Sequence, residues 1–358
     1  MIRNHVRRCL ITAIACLVVT SFAQAASLSI PDPLVRIGVF GLFHSRRLTV
    51  HSHEGRAVEL RCGDRTLRIE GGQSVEVTLQ GESIECRSGN IAVQVLQAEI
   101  TNPRTDFALE VPGKMERHYR GSLEIVPAGR ELLVTVAMPR ETAVASIVAA
   151  ETPSALSFEA LKAQAVVTRS YLAAGPRHKD FDFCDTTHCQ YLVAPPALGV
   201  AVAEAALATR GMVLFYEGRV ICALYSARCG GRTRTLADIG LDGRDYPYHR
   251  ALCSSCIRAP DAWTRRLEGP EAASLIRQPG NEMARLRLVR ERGWQAVPSN
   301  NYRIAATATG VTLEGTGSGH GVGLCQRGAA AMASEGHGLL SILRHYFPNT
   351  ILRPVPRP

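Results

Sequence analysis

The chain has 358 residues, 46% of them hydrophobic and 20% charged, an ordinary globular composition with enough length for one large core or two domains. Aromatic residues are only 6% of the total, which argues against a base-stacking platform for nucleic acid. The formal charge of +9 is spread along the chain without a Lys/Arg block, so it suits any acidic polymer and by itself selects none.

The first 25 residues have the three parts of a secretory signal. Met1 to Arg8 is basic, with Arg3, Arg7 and Arg8 and no acid, Cys9 to Ala23 is mostly apolar, and Ala23-Gln24-Ala25 supplies an A-x-A cleavage pattern. The apolar run of about 15 residues is shorter than the roughly 20 that a spanning helix needs. The expectation is therefore export, to the periplasm or the cell-wall and extracellular side, with an uncleaved N-terminal membrane anchor as the alternative. Of eleven cysteines, Cys9 and Cys16 leave with the signal. The remaining nine are an odd number, so some thiols stay free or bind metal.

Residues 27–137 read as β-rich. Short alternating runs recur at Val35 to Val39, Val58 to Cys62, Leu67 to Ile69, Val75 to Val77 and Ile91 to Val95. Gly71-Gly72, Gly81, Gly89-Asn90 and Asn102-Pro103 punctuate them, a pattern of antiparallel sheet. Cys62 and Cys86 in this region are a candidate bridge between strands or two separate buried thiols. From about residue 138 the pattern turns helical: Glu141 to Ala150, then Phe158 to Leu172 with Ser157 as N-cap and Glu159 in the first turn. Leu161, Ala165, Thr168 and Leu172 form its apolar-to-small stripe. A helix over Val202 to Thr209 follows, then a hairpin from Met212 to Tyr225 turning at Glu217-Gly218. Residues 226–268 read as loop-rich and hold Cys229, Cys253 and Cys256. Beyond them come a helix around Ala272 to Arg277, strands near 284–290 and 302–314, and helix from Gln326 to Tyr346 interrupted at Gly336. A Pro-rich tail, 353–358, closes the chain and is expected to fray. The fold class is α+β, with mixed helices and antiparallel sheets: a β-rich N-terminal part followed by a helical and hairpin region over 138–352.

Three segments hold residues suited to chemistry. Glu151 lies between two expected helices, before Thr152-Pro153, where Pro disfavours helical backbone at Thr152. A carboxyl at such a corner, flanked by Ala149 and Ala150, is either a solvated capping group or, if desolvated, a proton donor near neutral pH. His178, Cys184, His188 and Cys189 supply two imidazoles and two thiols within twelve residues. They suit a tetrahedral zinc site with two sulfur and two nitrogen ligands, or alternatively a Cys184–Cys189 disulfide. Asp185 adds a carboxylate to that segment. The third is Gly317-Ser318-Gly319-His320-Gly321-Val322-Gly323, followed by Leu324-Cys325-Gln326. Its alternating glycines permit close backbone approach and positive φ, and a helix N-terminus follows. It resembles a dinucleotide fingerprint only superficially, since no βαβ unit follows it, so neither nucleotide nor nucleic acid is expected as a ligand.

These segments occur in an order that resembles the sporulation stage II protein D (SpoIID) family of peptidoglycan lytic transglycosylases and their non-sporulation relatives. The carrying pieces are Val148 to Pro153, Phe158 to Val166 with Arg169 and Tyr171, Cys184 to Tyr191, the stretch ending Cys229-Gly230-Gly231, and Gly319 to Gly323 with Gln326. The resemblance implies that Glu151 is the catalytic acid and that His178, Cys184, His188 and Cys189 hold zinc. It also makes Gln164, Arg169, Tyr171, His320, Gly321 and Gln326 candidates for sugar contacts. The implied reaction cleaves the MurNAc–GlcNAc bond of strands stripped of stem peptides, leaving 1,6-anhydro-MurNAc ends. The implied partners are peptidoglycan glycan strands and a cell-wall amidase; the alternative is a non-catalytic enhancer of such an amidase. The chain departs from many relatives in having Thr152 in place of Met after the acid, and Cys at 229 and 325 in place of Ser.

Overall fold

The computed structural model describes residues 32–152, 156–197, 199–243, 245–268, 270–308 and 310–355. The expected signal segment and the last residues of the tail lie outside these. Among the described residues no helix is long and apolar enough to cross a membrane.

Strands fill the first part of the chain and form two sheets. One has seven strands, in the order 183–184, 34–38, 131–139, 122–128, 98–100, 58–62 and 65–69. The other has six, in the order 115–120, 106–111, 47–52, 74–80, 83–88 and 91–95. Val58 and Leu60 from the first and Leu48, Val50, Val75 and Val77 from the second are buried in one shared core. Alternate residues face solvent, which is why the period-two pattern of the sequence is legible here. Cys62 and Cys86 meet inside this core as free thiols.

The expected boundary at 137/138 falls within the strand Glu131–Pro139, which runs directly into helix α1, Arg140–Glu151. Glu151 is thus the last residue of α1 rather than a residue between helices. Thr152 ends the helix in extended conformation, φ −108 and ψ 137, as the following Pro demands. Helix α2, Phe158–Ala173, is buried on nearly every side from Ala160 to Leu172, so the expected single stripe is a full cylinder. Small residues at 160, 163 and 165 let neighbouring elements approach it closely. Ser157 occupies the N-cap position, but its hydroxyl makes no capping bond. Glu159 instead accepts from Leu339 N at 2.7 Å and pairs with Lys162. Helix α3 is Ala201–Ala208.

The hairpin turns at Glu217 (φ 49) and Gly218 (φ 81) as expected, but its arms are Met212–Tyr216 and Arg219–Val220 only. Tyr225–Ser226 leaves it to pair in parallel with Leu324–Cys325. The loop-rich 226–268 stretch also contains a short helix, α4 (Ser254–Arg258), and the strand Ala262–Glu268. Helix α5 is Pro270–Arg277. The expected strand at 284–290 is a helix, α6, Glu282–Arg292. Its Arg-Leu-Arg-Leu alternation imitates a strand. However, Asn281 caps it by accepting from Ala284 N at 3.0 Å, Glu282 stands in its first turn, and Arg290 and Arg292 stand in its last. Helices α5 and α6 pack on the sheet of 262–268, 302–306 and 310–316 around Leu275, Leu288, Val297 and Leu313. Helices α7, Gln326–Ser334, and α8, Leu339–Tyr346, are separated at Gly336 (φ 89). The start of the tail is pinned, because Ile351–Pro354 pairs with Met212–Phe215.

Candidate active site

A cavity of about 370 Å³ opens between the end of α1, α2, the 187–190 segment, the 318–320 loop and helix α6. Its wall includes Glu151 from α1, Tyr171 from α2, Cys189 and Gln190, Tyr225 to Ala227, Glu282 and Arg285 from α6, Trp294, Ser318 to His320, and Gln326.

Glu151 is placed there by its helix and held at both ends of the residue. Its Oε1 accepts from Tyr191 N at 2.8 Å, and its backbone carbonyl accepts from Gln326 Nε2 at 2.9 Å. Burial raises its pKa above the ordinary carboxylate value, against smaller lowering contributions from Tyr191 N and the Tyr225 hydroxyl. A carboxylate at a helix C-terminus also faces the negative end of the helix dipole, which acts in the same direction. The carboxyl therefore has the environment of a proton donor, not of a solvated cap. Burial and the neighbouring Glu151 charge hold the Tyr225 hydroxyl well above the usual phenol range, so it stays protonated.

The second carboxylate in the wall is Glu282, which the sequence reading missed with its helix. Arg285 Nε and Nη2 donate to its two oxygens at 2.8 Å each, and Asn300 Nδ2 donates to Oε2 at 2.5 Å. This carboxylate is committed to a buried ion pair. The Arg285 guanidinium also lies against Trp294, 5.4 Å from the ring centre, and Trp294 itself is exposed at the cavity rim. Two further polar atoms in wall residues are buried without a protein partner: Gln190 Oε1 and Ser226 Oγ. Orphaned polar atoms cost on the order of 1–3 kcal/mol each unless something bonds them, so their gathering around one cavity points to a polar ligand.

The loop 317–323 has positive φ at each of its odd-numbered glycines, 317, 319, 321 and 323. A Cβ on Gly323 would lie 2.0 Å from Leu224 O, so glycine there lets Leu324 pair beside Tyr225. The loop delivers His320 to the wall. Its Nδ1 accepts from Val322 N at 3.0 Å, and burial lowers its pKa, so the ring is neutral and its Nε2 carries the proton.

Of the expected sugar contacts, Tyr171, His320 and Gln326 line the cavity. Three do not. Gln164 is buried behind Gln326, 3.4 Å from its Nε2. Gly321 is set against Arg234, whose N donates to its carbonyl at 2.8 Å. Arg169 is wholly buried. It makes a bidentate pair with Glu141 at 2.7 Å and 2.7 Å and donates to the carbonyls of Ala165, Ala206 and Met212. Its guanidinium joins α1, α2 and α3 and has no face left for a sugar.

His178, Cys184, His188 and Cys189 converge beside the cavity, their ligand atoms all within 4.8 Å of one another. His178 Nε2 is 3.3 Å from Cys189 Sγ, and His188 Nδ1 is 3.8 Å and 3.7 Å from the sulfurs of Cys184 and Cys189. Both thiols are free. Asp185 turns the other way, into a buried pair with Arg117 at 2.6 Å. The donor set and its spacing fit one tetrahedral ion.

The fold and this cavity define an α+β protein with a desolvated acid facing a cleft. Residues 128–216, from the end of the sandwich through α3 and the first arm of the hairpin, match the family model SpoIID, Stage II sporulation protein. These residues carry a SpoIID domain, as the motifs led one to expect. It is similar to an uncharacterised protein of Brachyspira hyodysenteriae, 28% identical over 64% of this chain and 70% of that protein. It is also similar to the stage II sporulation protein D of Bacillus amyloliquefaciens (25% identical over 59% of this chain and 73% of that protein) and of Bacillus subtilis (24% over 71% and 86%). The family ties the chain to a cell-wall-related function.

Proposed function

We propose that the protein is an exported peptidoglycan lytic transglycosylase in which Glu151 is both acid and base. The observation that carries this is the desolvated Glu151 carboxyl in a cavity whose other carboxylate, Glu282, is occupied by Arg285 and Asn300. A two-carboxylate hydrolysis needs a second free acid, as nucleophile or to activate water. A transglycosylase does not, because the nucleophile is the muramoyl C6 hydroxyl of the substrate. Protonated Glu151 donates to the glycosidic oxygen between MurNAc and GlcNAc, and positive charge develops at C1. The resulting carboxylate then accepts the proton of the C6 hydroxyl as that oxygen attacks C1. The proton count closes on Glu151, and the product is a 1,6-anhydro end. Tyr191 N holds the carboxyl in place throughout the exchange, and Gln326 braces the backbone beneath it. Gln190, Tyr225, Ser226 and His320 supply donors and acceptors for sugar hydroxyls and acetamido groups. Trp294 offers a flat apolar face at the rim.

His178, Cys184, His188 and Cys189 are the residues that would hold zinc. Bound there, the ion would fix the 178–189 segment, and with it Cys189 and Gln190 in the cavity wall. The test is digestion of glycan strands, with and without stem peptides, by the wild type and Glu151→Gln. 1,6-Anhydro-MurNAc ends from the wild type alone support the reading, with stripped strands the better substrate. Glycan binding without any cleavage would instead assign the protein as a non-catalytic amidase enhancer.

A further inference from the structure

Four cysteines distant in sequence meet on the far side of α7's N-terminus. Cys229, Cys253, Cys256 and Cys325 are each at most 2% exposed, and their sulfurs all lie within 4.8 Å of one another. Cys325 Sγ is 3.7 Å from Cys256 Sγ and 3.9 Å from Cys253 Sγ. A tetrahedron of thiolates with zinc–sulfur bonds of about 2.3 Å has edges of about 3.8 Å, whereas bonded sulfurs stand about 2.05 Å apart. The spacing is that of ligands around one ion, and all four side chains are free thiols.

The surroundings are built for thiolates. Cys229 N and Gly328 N each donate to Cys325 Sγ at 3.4 Å. Gly328 N belongs to the first turn of α7, where free N–H groups favour negative charge. The Tyr346 hydroxyl is buried beside the cluster without a protein partner of normal geometry. A Cβ on Gly328 would come within 2.0 Å of that hydroxyl and 2.7 Å of Cys253 Sγ, so only glycine lets α7 pass this close. Four buried thiolates without a cation would be prohibitively costly.

We propose that Cys229, Cys253, Cys256 and Cys325 form a second metal site, a structural four-thiolate zinc centre separate from the His178/Cys184/His188/Cys189 cluster. Zinc is favoured because four sulfurs in a closed tetrahedron suit a d10 ion with no redox chemistry. On binding, the four thiols release their protons to solvent. The ion would staple three chain segments: the loop that follows Tyr225–Ser226, helix α4, and the start of α7. Cys325 immediately precedes Gln326, whose amide holds the Glu151 carbonyl at 2.9 Å, so the staple sets the floor beneath the acid. The two clusters together take six of the nine cysteines of the described residues, and Cys62, Cys86 and Cys222 remain.

The test is elemental analysis of the full chain carrying Cys184→Ser and Cys189→Ser, which disables the other cluster. The expected result is one zinc per chain after dialysis, lost on adding Cys253→Ser and Cys256→Ser. Those two substitutions could unfold the chain, so the Cys184→Ser/Cys189→Ser protein is also loaded with cobalt alone and read by absorption. Thiolate-to-cobalt charge transfer with the strong visible bands of a tetrahedral ion supports the site. Any of three results overturns it: no metal in that folded variant, iron in place of zinc, or a disulfide joining any two of the four cysteines in a non-reducing peptide map. None of these readouts depends on catalysis, so they stand apart from the transglycosylase reading.

Discussion

Arg169 is a test of whether the interior of this domain is architecture or binding surface. Replacing Glu141 by Gln keeps the shape of the pair and removes its charge, while Arg169 stays fully buried with only carbonyls and the Thr209 hydroxyl about it. Breaking a buried pair from one side costs about 3–5 kcal/mol. Glu141 keeps 17% of its side chain exposed, so the lower end applies, about 3 kcal/mol. For a chain of this size that is a fall in Tm on the order of 5–10 °C. Removing both partners together, Glu141→Leu with Arg169→Met, should recover most of the loss, because no charge is then left unpaired. Thermal and urea unfolding measure the three proteins side by side. A Glu141→Gln protein within about 0.5 kcal/mol of wild type would refute the reasoning. So would an Arg169 variant of unchanged stability that loses glycan affinity, since that is the behaviour of a sugar contact.

Three further outcomes follow from the site. Glu151 has a folded pKa raised above its unfolded value, so its contribution favours the fold below about pH 4.5 and is lost as pH rises through the folded value. Glu151→Gln should therefore be more stable than wild type at pH 7 and nearly equal to it at pH 4, and a less stable variant at pH 7 would contradict the desolvation argument. Glu282→Gln should weaken the fold through Arg285 yet still give anhydro ends; a loss of turnover as deep as that of Glu151→Gln would make Glu282 a second catalytic acid. Gly323→Ala combines positive φ with a 2.0 Å clash against Leu224 O and should cost well over 1–3 kcal/mol. Gly336→Ala has similar φ and open space and should cost only about 1 kcal/mol; equal Tm losses in the two would show that the close approach is not what glycine provides.

Much of this molecule is legible in its sequence, for reasons that differ by element. The sandwich strands buried on one face announce themselves by alternation, and Gly211, Glu217-Gly218 and Gly336 mark real turns. Pro153 marks the corner at Thr152, but Glu151 is singled out there only by the resemblance, because its desolvation depends on elements distant in sequence. Helix α6 is misread because its arginines alternate with leucines, and with it go Glu282, Arg285 and the route to Trp294. Tyr225–Ser226 and Leu324–Cys325 pair over two residues each, too few to carry any period. Arg169 looks like a ligand contact because nothing local reveals that Glu141 and the end of α3 will close over it. The four-cysteine cluster spans 96 residues, from Cys229 to Cys325; the C-x-x-C spacing of Cys253 and Cys256 is its local trace, and only the fold assembles it.

The central claim is that Glu151 uses a hydroxyl of the substrate as nucleophile. Its most direct test is digestion of stripped glycan strands in 18O-enriched water, with mass spectrometry of the new ends. The account predicts wild-type products one water lighter than hydrolysis products, with no heavy oxygen at C1, and no cleavage by Glu151→Gln. Ends that carry one heavy oxygen, or cleavage that survives the substitution, would contradict it.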